Sequence, residues 1–251
     1  MSTWIARGLH RGIRTTRYPG AQAEMPQEYR GRVHITEHAS QAALQHAADA
    51  CLSRAIELSA GSARVRTSRC FQCGECARRA PEAVRITSDF ELAIVEGDPE
   101  TVRRRLRDQV RSLGRSVMIR HVDAGSDASC EQEVQALFNP FYDVNRLGLF
   151  LTATPRHADL LLVTGVVTHA MAEPLRQTYE AMPEPRVVLA VGSAAASGSI
   201  FDLQDVVGPV DRVIPVDVRI PGAPPPPLAI IHGLWVGLGH ASAHFAAKSS
   251  T

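Results

Sequence analysis

Residues 159–165 read Asp159-Leu160-Leu161-Leu162-Val163-Thr164-Gly165, four consecutive apolar residues between an aspartate and a threonine–glycine end. A strand that is apolar on both faces belongs inside a parallel sheet covered by helices on both sides. The same signature recurs at 186–191 (RVVLAV, closed by Gly192), at 116–122 and at 213–218 (VIPVDV). Helical stretches lie between these runs, notably 169–181. The alternation predicts an α/β domain over 116–240 with a mostly parallel sheet, and ligands are expected on the loops after the strand ends. Beyond it, the prolines at 224–227 precede an apolar helix around 228–238, and a small-residue tail, 241–251, is expected to be mobile.

Upstream, residues 98–113 read as a helix. Asp98 is an N-cap, Pro99 suits the first turn, and Val102, Leu106, Val110 and Leu113 share one face before Gly114. Arg103, Arg104, Arg105, Arg107 and Arg111 then form a solvated face. This helix is expected to be the linker, 96–115, between two domains. Residues 31–95 are short and turn-rich. At the start, Trp4, Ile5, Leu9 and Ile13 fall on one helical face, and Arg7, Arg11, Arg14 and Arg17 on the other. Such a segment, 1–20, can lie on a membrane surface or against another protein of an assembly, or it can be a solvated terminus with chance periodicity. Its two glycines weaken the helix, and both readings stand.

Composition excludes several classes. With 45% hydrophobic and 21% charged residues, the 251-residue chain is neither a disordered tail nor collagen-like. No run of 18 apolar residues exists, and arginines interrupt the start where a signal peptide needs its apolar core, so a cytoplasmic location is expected. The net charge of +1 conceals an asymmetry. Residues 1–120 carry 20 Arg against 13 acids, and residues 121–251 carry six Arg and one Lys against 13 acids. The basic half lacks aromatic interleaving, so no nucleic-acid partner is expected. Thr164-Gly165 and Gly192-Ser193 lack a phosphate-loop pattern, so no nucleotide is expected either. No Ser-His-Asp order or paired carboxylates suggest catalytic residues.

The sharpest chemical signal is Cys70-x2-Cys73-x2-Cys76. Three thiolates at this spacing can each reach one iron of a cubane, and a remote fourth thiolate completes it. Zinc is the alternative, but it usually takes two spaced pairs. A radical-SAM motif needs a longer first gap. Gly74 and Pro81 favour iron–sulfur.

The region 30–95 resembles bacterial two-cluster ferredoxins, whose halves each carry C-x2-C-x2-C-x3-C-P, the fourth cysteine serving the other half's cluster. The resemblance implies that one cluster has lost all four ligand positions (Gln41, Leu44, Ala47 and Ala80) and the other has kept all four (Cys51, Cys70, Cys73 and Cys76). It implies an α+β ferredoxin-like N-terminal domain holding one [4Fe–4S] cluster, with side chains filling the space of the deleted one.

A second resemblance rests on Asn139-Pro140-Phe141-Tyr142-Asp143, Thr154-Pro155-Arg156-His157-Ala158-Asp159, Leu162-Val163-Thr164-Gly165 and Val213-Ile214-Pro215-Val216-Asp217. From about 117 to 238 the chain looks like the cluster-bearing small subunit shared by complex I and membrane-bound energy-converting [NiFe] hydrogenases. The N-terminal part, with its amphipathic start, TTRYP and EYRGR, looks like the ferredoxin subunit of formate-hydrogenlyase-type complexes, so the chain resembles a fusion of the two. That family holds a terminal cluster on C-x-x-C-E, on a cysteine after a V-G-D strand end, and on P-G-C-P-P. Here three of those ligands are Asp127, Ala194 and Ala223, and Cys130 alone remains. The resemblance implies that these positions meet on loops at one edge of the sheet, with small residues (Ser193, Ala194, Ala195, Ala196) collapsing inward.

The function so implied is a subunit of a membrane-associated complex-I-like or energy-converting-hydrogenase-like complex, peripheral on the cytoplasmic face of the inner membrane. It would carry one [4Fe–4S] cluster and a cluster-less domain acting as a docking scaffold. Its partners would be a large-subunit homologue and the membrane subunits. An active electron-transfer subunit delivering electrons to a quinone or hydrogenase partner, and an iron–sulfur redox sensor, are the alternatives. Whether the chain takes part in catalysis stays open.

Overall fold

The computed structural model describes residues 3–59, 62–96, 101, 104–108, 116–201, 204–241 and 244–246. The apolar runs build the centre of one seven-stranded sheet. Its strands β6 (Val117–Asp123), β7 (Leu149–Leu151), β8 (Leu160–Thr164), β9 (Val187–Val191) and β10 (Val218–Ile220) are parallel. With β5 (Ile94–Glu96) and β11 (His244–Ala246) added, the order is β11-β5-β10-β9-β8-β6-β7. Side chains alternate between two cores, as the pleat requires. Leu160, Leu162, Val187, Leu189 and Val191 join one core, with Leu228, Ile230, Ile231 and Leu234 of the helix Pro227–Gly237 and Val134 of the helix Ser129–Ala136. Leu161, Val163, Val188 and Ala190 join the other, under Leu175 of the helix His169–Glu180. Both faces are therefore dry, which explains the unbroken apolar runs.

The motif aspartates have a structural task. Asp159 accepts from the Met118 N–H at 2.8 Å, and Asp217 accepts from the Val188 N–H at 2.9 Å. Each carboxylate thus holds the start of a neighbouring strand. The run 213–218 is not the expected strand: only Val218 belongs to one. Pro215 has no N–H for a ladder, and Ile214 turns into the second core instead.

The upstream segment has a near-palindromic order. β1 (Val33–Ile35), α2 (Gln41–Asp49) and β2 (Ile56–Ser59) are followed by β3 (Ser62–Val65), α3 (Glu75–Arg79) and β4 (Val84–Ile86), α1 being the helix Thr3–Arg11. β1 pairs with β4 and β2 with β3, both antiparallel. α2 starts on Ser40, whose side chain accepts from Ala43 N–H.

Two expected boundaries move. The division at 95/96 cuts through β5, which pairs antiparallel with β10 in the large sheet. The apolar run 92–95 is buried there, so the segment 30–95 ends inside the second half's core. The tail expected to be mobile supplies β11, parallel to β5, because an edge strand offers unpaired N–H and C=O groups. Of the expected linker helix, residues 101 and 104–108 are helical, and the rest lies outside the described residues. In α1 no residue is buried, and Trp4, Leu9 and the following Ile13 are exposed.

Candidate functional site

The four cysteines 51, 70, 73 and 76 line one pocket together with Val33, Ile56, Val65 and Phe71. Cys51 sits just past the end of α2, and its Sγ accepts from the Ala55 N–H at 3.2 Å. Cys70 follows the 3-10 turn Thr67–Arg69, and its Sγ accepts from the Gln72 N–H at 3.4 Å. Two left-handed residues, Gln72 (φ 61°) and Gly74 (φ 79°), curl the chain between Cys70 and Cys76. The left-handed backbone favours glycine at 74, and the Arg30 side chain packs close against it, 2.8 Å from where a Cβ would stand. Arg30 in turn donates to the Cys73 carbonyl. Cys76 is buried in the first turn of α3, and Cys73 is exposed.

Burial pushes the Cys70 thiol up to about 11, and the neighbouring Cys76, Cys51 and Cys73 add to the shift. The Cys76 thiol is also raised, first by burial and then by Cys51 and Cys73. The Cys70 and Cys76 thiols thus sit in one apolar pocket with the other two cysteines. Among the described residues no three His, Cys, Asp or Glu side chains converge to hold a metal ion. A cubane imposes a different geometry, since each thiolate meets its own iron at a separate corner.

The four positions expected, from the resemblance, to be the lost ligand set behave differently. Leu44, Ala47 and Ala80 pack in one small apolar core with Ile56, Cys76 and Val84, while Gln41 is exposed.

In the α/β half the positions 127, 130, 194 and 223 lie on three loops that meet. Cys130 is buried at the start of α4 (Ser129–Ala136), and a Cβ on Gly192 would lie 2.6 Å from its Sγ. Ser193 N–H donates to Gly222 O at 2.7 Å, tying the loop before Ala194 to the turn before Ala223. Ala223 and Asp127 are exposed and Ala194 is half-buried. Asp127 needs no buried partner: its carboxylate accepts from Ser129 N–H at 3.0 Å and from the Ser129 hydroxyl. Burial pushes the Cys130 thiol up to about 12, so it is neutral and inert at physiological pH. Gly192 brings the strand end close against the Cys130 thiol.

The sequence did not point to His121 or Ser126, nor to the bond that Ser193 makes. His121 Nε2 lies 2.9 Å from Thr164 Oγ1 and 4.0 Å from Glu131, and burial holds its imidazole below the usual histidine range. Ser126 donates to Glu131 Oε2 at 2.6 Å. Ser193 donates to the Cys70 carbonyl at 2.7 Å, so the cysteine loop rests against the loop that carries Ala194. His157 lies in the exposed turn Pro155–His157, away from these groups.

Residues 128–236 match the sequence profile of the family described as NADH ubiquinone oxidoreductase, 20 Kd subunit. The chain is 43% identical over 136 residues to the probable membrane-bound hydrogenase subunit mbhJ of Pyrococcus furiosus, covering 54% of this chain and 81% of that protein. It is 40% identical over 131 residues to formate hydrogenlyase subunit 7 of Escherichia coli, covering 52% of this chain and 51% of that one. It is also 43% identical over 107 residues to an NADH-quinone oxidoreductase subunit from Citrifermentans bemidjiense, covering 43% of this chain and 63% of that one.

Proposed function

Because this chain belongs to the NADH ubiquinone oxidoreductase 20 Kd subunit family, we propose that it is a fused electron-transfer and docking subunit of a membrane-associated complex of the complex-I or energy-converting-hydrogenase kind. Its first half, in this reading, is a ferredoxin-like domain with one [4Fe–4S] cluster on Cys51, Cys70, Cys73 and Cys76. Its second half is a small-subunit domain that has lost its cluster and docks a large-subunit homologue onto membrane subunits.

The observation that carries this reading is the contrast between two sets of four positions. One set lines a single pocket as four thiols. Of the other set, three positions are side chains in a packed apolar core. The palindromic β-α-β order, with β1 against β4 and β2 against β3, supports the ferredoxin-like assignment.

The donor set, four cysteine thiols in one pocket, suits an iron–sulfur cluster. The pocket's walls are apolar, and backbone N–H groups already point at two of the sulfurs. Such N–H···S bonds stabilise bound thiolates and tune their potential. When bound, the cluster would supply one-electron transfer. Cys76 is buried, Cys70 is half-buried, Cys73 faces outward, and Arg30 fixes the Cys73 backbone. In the second half, Cys130 faces Gly192 and three of the four ligand positions carry no thiol, so that half acts through its surface.

One observation favours active electron transfer within this role: Cys73 is exposed, giving a partner an approach to the cysteine pocket. The test of the overall reading is purification of the tagged full chain from detergent-solubilised membranes. A large-subunit homologue and membrane subunits should co-elute in fixed stoichiometry. Elution of the chain alone from the soluble fraction would remove the docking role.

A further inference from the structure

Ser193 joins the two halves at the cysteine pocket. It is fully buried at the start of α6 (Ser193–Ser197), taking α5 as the helix His169–Glu180. Its hydroxyl donates to the Cys70 carbonyl at 2.7 Å and accepts from the Gly222 N–H at 3.1 Å. A hydroxyl has one proton to give and two lone pairs, so both bonds form together. The Ser193 N–H adds a bond to Gly222 O at 2.7 Å. One side chain therefore links the cysteine loop, the loop before Ala194 and the turn before Ala223.

The other polar contacts along this seam are weaker. Arg69 reaches Ser199 O only at 3.4 Å. Arg69 Nε, Gln72 Nε2 and Ser199 Oγ are buried without hydrogen-bond partners. A short bond in a dry seam with few alternatives is the one whose loss the loop cannot replace.

We propose that Ser193 is the positioning residue that fixes the Cys70 end of the cysteine pocket to the α/β half. The orientation of Cys70, and hence the surroundings of the cluster, is then set by loops of the other half. The cluster part of this inference rests on the reading of the four thiols given above; the locking of the loop does not.

The experiment has two arms. In the metal-free full chain, hydrogen exchange is followed at the amides of residues 71–74. Ser193→Ala should speed it about tenfold, the loss of one buried hydrogen bond and of the acceptor for Gly222. Ser193→Thr, which keeps the hydroxyl, should restore protection. Ser197→Ala, which removes a hydroxyl bonded to the Ser193 carbonyl within the same helix, should leave these amides unchanged. In the anaerobically reconstituted chain, Ser193→Ala should keep the wild-type iron content and shift the electron paramagnetic resonance spectrum of the reduced cluster. Unchanged exchange in Ser193→Ala, or equal acceleration in Ser197→Ala, overturns the proposal. A wild-type chain that takes up no iron overturns the cluster reading instead, and the exchange arm still decides the locking of the loop.

Discussion

Replacing Gly192 by alanine probes the packing around Cys130 in the α/β half directly. Gly192 has φ 89° and ψ 153°, a region open to glycine and to almost nothing else. Holding alanine there costs about 2 kcal/mol. The new Cβ would also lie 2.6 Å from the Cys130 Sγ, well inside ordinary contact. Forcing that pair apart in a packed interior costs about 2 kcal/mol more. Gly192→Ala should therefore lose about 4 kcal/mol, or roughly 8–16 °C in melting temperature for a chain of this size. Cys130→Ala alone should lose about 1 kcal/mol, the burial of one small group. The double variant removes the collision but keeps the backbone strain, so it should lose about 3 kcal/mol, which is about 2 kcal/mol less than the sum. Urea unfolding of the four proteins measures this. Additivity within about 0.5 kcal/mol would mean that Cys130 does not pack on Gly192, and this account of the packing there would fall.

Two further outcomes are expected. Burial holds His121 neutral in the fold, so the unfolded chain binds a proton that the native chain refuses; stability should fall as pH drops through the ordinary histidine range near 6.5 and below. His121→Gln should flatten that part of the stability–pH curve, and an unchanged slope would place the titration elsewhere. Combining Asp127→Cys, Ala194→Cys and Ala223→Cys should add about four irons on anaerobic reconstitution, because the three loops still meet around Cys130. A folded triple variant with no added iron would show that the closure on Cys130 does not reopen.

The central sheet was legible because runs such as 159–165 are apolar on both faces, and only a doubly covered strand tolerates that. The run 213–218 misled because apolar content alone does not build a ladder; Pro215 and the inward turn of Ile214 prevail there. β5 was missed because three residues at the end of a turn-rich segment carry too little periodicity, and their pairing with β10 is a long-range contact. The cysteine pocket was readable from the Cys70-Cys73-Cys76 spacing, since a tight loop brings those residues together by local geometry. That the loops carrying 127, 130, 194 and 223 meet was legible as a set of positions, and the contacts between them were not. The run of small residues at 193–196 was visible, and the close approach of Gly192 to Cys130 just before it was not. The Ser193 bridge left no trace in the sequence, because nothing local relates residue 193 to residue 70.

The most direct test of the account is the iron and acid-labile sulfide content of the full chain after anaerobic reconstitution. One complete set of four thiols predicts about four irons and four sulfides per chain, none in Cys73→Ala, and the wild-type amount in Cys130→Ala. Eight irons per chain, or none, would contradict it.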